Sequence, residues 1–309
     1  MDNGLLPIRR DKSPTGSSLA GDVVTVVLEQ PESPVVVLND ALIAALERTL
    51  QAVPRDVAGL ILASGSERVF VAGADLKTIM AWDDYQLHRY LELGARTFAM
   101  LANMPFPTVA AINGAALGGG LEIAMHCDAL VAAPSASGKP YPIGLPEAGL
   151  RICPGWGGTN LLPARINAAE AINMTASGTP TNFDHAKELG LFDAVAESAD
   201  ALHDACVDWI AANPKAPQRD GAPSRWIGRS ATAPGVLAAL DEVSPDLPDH
   251  DAARAVAEAV GVGLNQGWDA ACRRERELLV HLRSTPDAKA AIDAFFAKSA
   301  AKPAARAKT

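Results

Sequence analysis

The chain has 309 residues, 49% of them hydrophobic and 20% charged, with a formal net charge of -9 at pH 7. That length and balance allow a large buried core, as one domain with an appendage or as two domains. No apolar run reaches the ~18 residues a membrane-spanning helix needs, residues 1–22 lack the apolar core of a signal peptide, and the acidic balance disfavours nucleic acid. The expectation is therefore a cytoplasmic protein with neither membrane nor nucleic-acid partner. Cys127, Cys153, Cys206 and Cys272 are scattered without a CxxC pair, which argues against a zinc cage or a disulfide framework.

After a polar lead-in, the β-branched runs Val23 to Leu28 and Val35 to Leu38 predict two strands. The spacing of Leu42, Ile43, Leu46 and Leu50 predicts a helix from Asn39 to Val53, with Asn39 or Asp40 as N-cap. Gly59 to Ser64 reads as a short buried strand, Asp83 to Asn103 as a long helix that stops before Pro105, and Thr108 to Ile112 as another strand. A glycine turn at Gly118 to Gly120 leads into a helix from Leu121 to Cys127 and a strand from Ala129 to Ala132. This alternation is an α/β pattern. Beyond Pro154 the character turns helical: Asn160 to Arg165, Ala168 to Ala176, Asp184 to Leu189 and Ser198 to Ala212, interrupted by a strand from Phe192 to Val195. A loop rich in Pro, Ser and Gly, Asn213 to Pro234, precedes helical patterns at Val236 to Asp241, Asp251 to Val260, Gly267 to Arg283 and Asp287 to Lys298. The expected division is a lead-in over 1–21, a core over 22–212 and a loop and helical subdomain over 213–309.

The chemistry centres on two carboxylates, Glu122 and Glu147, beside the glycine turn. Glycines let backbone N–H groups approach a ligand oxygen, and a helix start adds partial positive charge, so negative charge developing on a carbonyl would be stabilised there. Each feature alone has a plain alternative: a close-packed turn for the glycines, first-turn preference for Glu122, a loop carboxylate for Glu147. There is no GxxxxGK[ST] for a nucleotide P-loop and no GxGxxG after the first strand for a dinucleotide.

Taken together, five ordered blocks resemble the crotonase family, also called the enoyl-CoA hydratase/isomerase family. They are Phe70-Val71-Ala72-Gly73-Ala74-Asp75-Leu76-Lys77; Pro107 through Ile112-Asn113-Gly114 to Gly118-Gly119-Gly120-Leu121-Glu122 and Cys127-Asp128; Gly144-Leu145-Pro146-Glu147; Pro154-Gly155-Trp156-Gly157-Gly158-Thr159; and Ala186 to Asp193. Residues 233–296 are similar to the end of the hydratase region in multifunctional fatty-acid oxidation α-subunits, without the dehydrogenase domain that follows there.

The resemblance implies a spiral of ββα units with a helical C-terminal subdomain, an acyl-CoA thioester as substrate, no metal or redox cofactor, and a homotrimer or hexamer. It places an oxyanion hole at the N–H groups of Ala74 and Gly119. Glu147 becomes the proton donor at C2 and Glu122 the base at C3, the two holding the water together. Substrate or CoA contacts are expected at Ala72, Asp75, Leu76, Lys77, Gly118, Gly155, Trp156 and Lys298. The implied activity is hydration of a trans-2-enoyl-CoA; the rivals are isomerisation or another crotonase reaction, and a CoA- or RNA-binding relative without chemistry. His126 reads as a packed or capping histidine, Asp128 as a capping or pairing residue, and Asp75 as a stabiliser of the turn after Ala74. Three departures stand out: extra chain at Ala133 to Pro142, Arg151 where glycine is common, and Trp156 where a small residue is usual, serving either packing or a shortened acyl site.

Overall fold

The computed structural model describes residues 4–11, 19, 21–30 and 33–301. Strands β1 (Ile8–Asp11) and β2 (Val23–Leu28) precede α1 (Asp40–Ala52), whose N-cap Asn39 accepts from Leu42 N at 2.8 Å. Then come β3 (Gly59–Ser64), β4 (Val69–Val71), α2 (Leu76–Ala81), α3 (Asp84–Ala102), β5 (Thr108–Ile112), β6 (Ala115–Leu117), α4 (Gly119–Met125), β7 (Ala129–Ala132) and β8 (Pro142–Gly144). A 3-10 turn at Glu147–Leu150 leads to α5 (Gly158–Leu161), α6 (Ala168–Ser177), β9 (Thr181–Asn182), α7 (Phe183–Glu188), β10 (Ala194–Val195) and α8 (Leu202–Ala212). The remainder is helical: α9 (Ala233–Val243), α10 (Asp251–Gln266), α11 (Trp268–Leu282) and α12 (Pro286–Ala301).

The strands form two sheets, one of order β1-β2-β3-β5-β7-β10 and one of order β4-β6-β8-β9. Successive turns of chain give one strand to each: β3 then β4, β5 then β6, β7 then β8, with parallel pairing between turns in both sheets. A chain that adds one strand to each sheet per turn advances as a spiral, the ββα architecture expected. β2, β5 and β7 are buried throughout, so they read as continuous apolar runs rather than alternating ones.

Three local expectations change. The run Val35 to Leu38 makes no strand; only Leu38 forms a bridge, with Ala74, while Ala72 N donates to Val36 O at 2.8 Å. Its extended backbone lines the segment after β4 instead of joining a sheet. The polar lead-in, in turn, supplies β1, which pairs antiparallel with β2 at the sheet edge; its side chains are mostly exposed, so no apolar pattern marks it. The expected strand from Phe192 shrinks to Ala194–Val195.

Helices α9, α10 and α11 contribute to the main core, while α12 packs with parts of α10 and α11 in a smaller buried cluster. α9 and α10 pack on α6, α11 packs on α3, and Val236, Val260 and Leu279 belong to the same buried cluster as Leu62 and Ile112. All four cysteines are buried thiols. Among the described residues no helix is long and apolar enough to cross a membrane.

Candidate active site

The three parallel strands of the smaller sheet end side by side, and their C-terminal ends build the site: β4 runs into Ala72-Gly73-Ala74, β6 into Gly118-Gly119, and β8 into Leu145-Pro146-Glu147. These segments line one cleft of about 70 Å³, with a largely apolar wall that includes Leu76, Ile79, Leu91, Ile152, Trp156 and Leu279. Of the residues singled out in the sequence, Ala72, Ala74, Leu76, Gly118, Gly119, Glu122, Glu147, Gly155 and Trp156 all face it. The N–H groups of Ala74 and Gly119 bond to no acceptor among the described residues; that of Gly119 is free because it opens α4. Gly118 is required where it stands. Its φ is +53° and a Cβ there would lie 2.4 Å from Glu147 Oε1.

The two carboxylates meet different surroundings. Glu122 is 1% exposed, and its Oε1 accepts from Trp156 N at 2.7 Å and Gly158 N at 2.8 Å. Burial pushes its pKa above the usual carboxylate range, and the backbone donors oppose that rise. Glu147 projects from the 3-10 turn with Oε2 buried and without a protein hydrogen-bond partner. Burial, then the neighbouring charges of Glu122 and Glu275, hold its pKa well above the carboxylate range.

Glu275 is a third buried carboxylate that the sequence reading missed. It lies on α11, is fully buried, and accepts from the Gly157 N–H, from Thr159 N at 3.0 Å and from the Thr159 hydroxyl. The signal was present: Glu275 falls on the apolar stripe of Cys272, Leu278, Leu279 and Leu282, where a charged residue has no place without buried donors. Among the described residues no cation pairs with any of the three glutamates, and no group of His, Cys, Asp and Glu is disposed to hold a metal ion.

Comparison with known proteins agrees with this geometry. The sequence model of the family described as enoyl-CoA hydratase/isomerase matches residues 19–219. The chain belongs to the enoyl-CoA hydratase/isomerase family. It is 36% identical over 193 residues to a Bacillus subtilis protein named "Putative enoyl-CoA hydratase/isomerase YngF", covering 59% of this chain and 72% of that one. It is 31% identical over 245 residues to the fatty acid oxidation complex subunit alpha of Aliivibrio fischeri, a match that covers 78% of this chain but only 35% of that protein. Among solved structures, the enoyl-CoA hydratase of Bacillus anthracis superposes with a TM-score of 0.58 at 27% identity, covering 94% of this chain and 96% of that one. The Bacillus halodurans enoyl-CoA hydratase shares the fold, with a TM-score of 0.62 at 19% identity over 93% of this chain and 99% of that one.

Within this crotonase fold the three departures acquire places. Arg151 has φ +62°, the left-handed region that glycine enters freely, which is the physical reason a glycine suits the position. Trp156 is 3% exposed; its Nε1 donates to Leu91 O at 2.9 Å and its ring meets Tyr90 and Phe98 edge-on. It also lines a second cavity of about 250 Å³ bounded by His126, Trp268 and Cys272, so the packed ring stands between the cleft and that cavity. The added chain after Ala133 is exposed from Ala136 to Pro140 and contributes nothing to the cleft wall; Tyr141 OH donating to Ala133 O at 3.0 Å closes it on itself.

The remaining residues lie outside the cleft. Asp75 caps α2, accepting from Lys77 N at 3.1 Å and Thr78 Oγ1 at 2.7 Å. The ammonium of Lys77 stands 5.8 Å from the Phe296 ring, and Lys298 is exposed on α12. His126 Nδ1–H donates to Glu122 O at 2.9 Å, and burial lowers its pKa to about 4, so the ring is neutral and packed. Asp128 pairs with both terminal nitrogens of Arg219 at 2.7 Å.

Proposed function

We propose that this protein hydrates a trans-2-enoyl-CoA to the 3-hydroxyacyl-CoA, without metal or redox cofactor. The observation that carries the reading is the unequal treatment of two carboxylates in one apolar cleft, across from two free N–H groups. Glu122, with backbone donors on one oxygen, is the better anion and takes a proton from water. The water oxygen bonds to C3, the C2=C3 pair moves toward the thioester carbonyl, and the resulting enolate oxygen is stabilised by the Ala74 and Gly119 N–H groups. Glu147, kept protonated by burial and neighbouring charge, delivers its proton to C2 as the carbonyl re-forms. Environments that push two pKa values apart divide the acid role from the base role. Proton return from Glu122 to Glu147 resets the site.

The apolar wall suits an acyl chain, and closure by Trp156 favours short ones. We extend the same proposal to CoA contacts of Asp75, Lys77 and Lys298, to a trimeric or hexameric assembly, and to a cytoplasmic location.

The test follows loss of enoyl absorbance with crotonyl-CoA and longer trans-2-enoyl-CoAs for the wild type, Glu122→Gln and Glu147→Gln. Hydration through both groups requires each variant to lose ~10²-fold or more in kcat. Isomerisation of a 3-enoyl-CoA that survives Glu122→Gln, with no hydration by the wild type, would assign the protein to the isomerases instead.

A further inference from the structure

Four successive backbone N–H groups alternate between two buried carboxylates. Trp156 and Gly158 donate to Glu122 on α4, and Gly157 and Thr159 donate to Glu275 on α11. The loop is thus gripped from both sides, in a conformation that Gly157 permits with φ +99°. The grip extends further. Asn160 Nδ2 donates to Thr159 Oγ1 at 2.8 Å and to Ala259 O on α10 at 3.3 Å, which fixes the Thr159 hydroxyl as a donor to Glu275. The helical layer also reaches the opposite, apolar wall, where Arg283 at the end of α11 donates to Ile79 O at 3.0 Å, but Glu275 is its hold on the loop that carries the Glu122 donors; Glu275 itself does not line the cleft.

We propose that Glu275 is a positioning residue for Glu122: from α11 it fixes the far edge of the Trp156–Thr159 loop, and so sets where the two N–H groups that hold Glu122 stand. The role of Glu122 as base is taken from the hydration reading; the mechanical coupling is not. Three donors converge on Glu275 and favour its ionised form, while burial and then the charge of Glu122 push its pKa up to about 8. Once ionised, it also raises the pKa of Glu147. The groups that face it are Glu122 from α4, Glu147 from the 3-10 turn and the Cys153 thiol from the loop between. Cys272 lies on its own helix with Arg276 nearby, and Glu258 of α10 acts on Cys153. Burial holds both thiols neutral.

Glu275→Gln keeps the shape but leaves one oxygen to serve donors that now occupy two. The expected result is a kcat ~10- to 100-fold lower with KM within ~3-fold, the mark of a displaced reacting group rather than lost binding. The alkaline limb of the rate profile moves to lower pH, because removing a neighbouring negative charge lets Glu147 ionise more readily. Thr159→Val lowers kcat in the same sense and Thr159→Ser restores it; this pair decides the matter if Glu275→Gln does not fold. Carboxyl ¹³C titration of Glu122 and Glu147, with hydrogen exchange at the Trp156 and Gly158 amides, reads the coupling without substrate. A wild type that hydrates no enoyl-CoA, with displaced titration and faster exchange in Glu275→Gln, would sink the hydration reading and leave Glu275 in its role. Unchanged kcat, pH limb, titration and exchange in Glu275→Gln, or equal kcat in Thr159→Val and Thr159→Ser, would overturn the inference.

Discussion

The two walls of the cleft are built to opposite specifications. One wall, α4 with the Trp156–Thr159 loop, is dense with polar contacts: two N–H groups on Glu122, three donors on Glu275, and the Trp156 indole on Leu91 O. The other, the 3-10 turn Glu147–Leu150, is short, ends on a left-handed Arg151, and presents a carboxyl oxygen with no protein partner. The first wall stabilises an anion in a buried place. The second gives less of that support, and a buried carboxyl with one oxygen left without a donor keeps its proton more readily. The acid and base roles proposed above therefore rest on hydrogen bonding around identical side chains rather than on different residue types.

The largest expected effect breaks this contrast directly. Glu122→Leu strands the Trp156 and Gly158 N–H groups, and each buried unsatisfied donor costs about 1–3 kcal/mol, so urea unfolding at pH 5 should show a loss of about 2 kcal/mol or more. Glu147→Leu removes a carboxyl that strands no such pair. Because the folded pKa of Glu147 lies above its unfolded one, the wild type loses stability as pH rises from the carboxylate range through the folded pKa, where unfolding releases a proton. Glu147→Leu escapes that loss, so it should be more stable than wild type at pH 8, with the advantage shrinking toward pH 4. Equal stability losses in the two variants, at both pH values, would mean that the walls are alike.

What the sequence made legible follows the same division. Glu122, Glu147 and the glycines around them could be placed because tight turns and close backbone approach restrict residue choice locally, and the blocks carry that restriction in order. α1 and α3 could be placed because their buried faces repeat at helical spacing. The strands β4, β6 and β8 are three residues long, too short for any period to show, although they carry the site. Val35 to Leu38 has strand composition, yet its backbone bonds go to the segment after β4 rather than to a strand. Glu275 lies 118 residues from Gly157, and no local rule links a helix stripe to a glycine loop so distant. Only its misfit among apolar neighbours marked it.

A second change sharpens the comparison by moving the polar wall inward or outward. Trp156→Phe keeps an aromatic edge against Tyr90 and Phe98 but loses the bond to Leu91 O and one ring, thinning the partition between the cleft and the cavity by His126. Stability should fall by about 1 kcal/mol. The preferred enoyl-CoA should lengthen by one or two carbons, with the ratio of kcat/KM for long over short chains rising ~10-fold, the size of effect that a methylene's worth of pocket produces. An unaltered chain-length profile would show that the acyl group does not reach this ring.

The smallest effect concerns the sparse wall. Arg151 holds a left-handed backbone that costs an L-residue roughly 1–2 kcal/mol, while glycine pays more conformational entropy on folding, by roughly 0.5–1 kcal/mol. The Arg151 guanidinium reaches Ala148 O only at 3.4 Å, a contact too long to offset much. Arg151→Gly should therefore raise the urea midpoint by the equivalent of about 0.5–1 kcal/mol without changing the m-value. The side chain touches neither the cleft nor Glu122, so any change in kcat should stay within ~2-fold. A lower midpoint would mean that the guanidinium holds the turn that carries Glu147, and the second wall would then be braced by a side chain where the first is braced by its backbone.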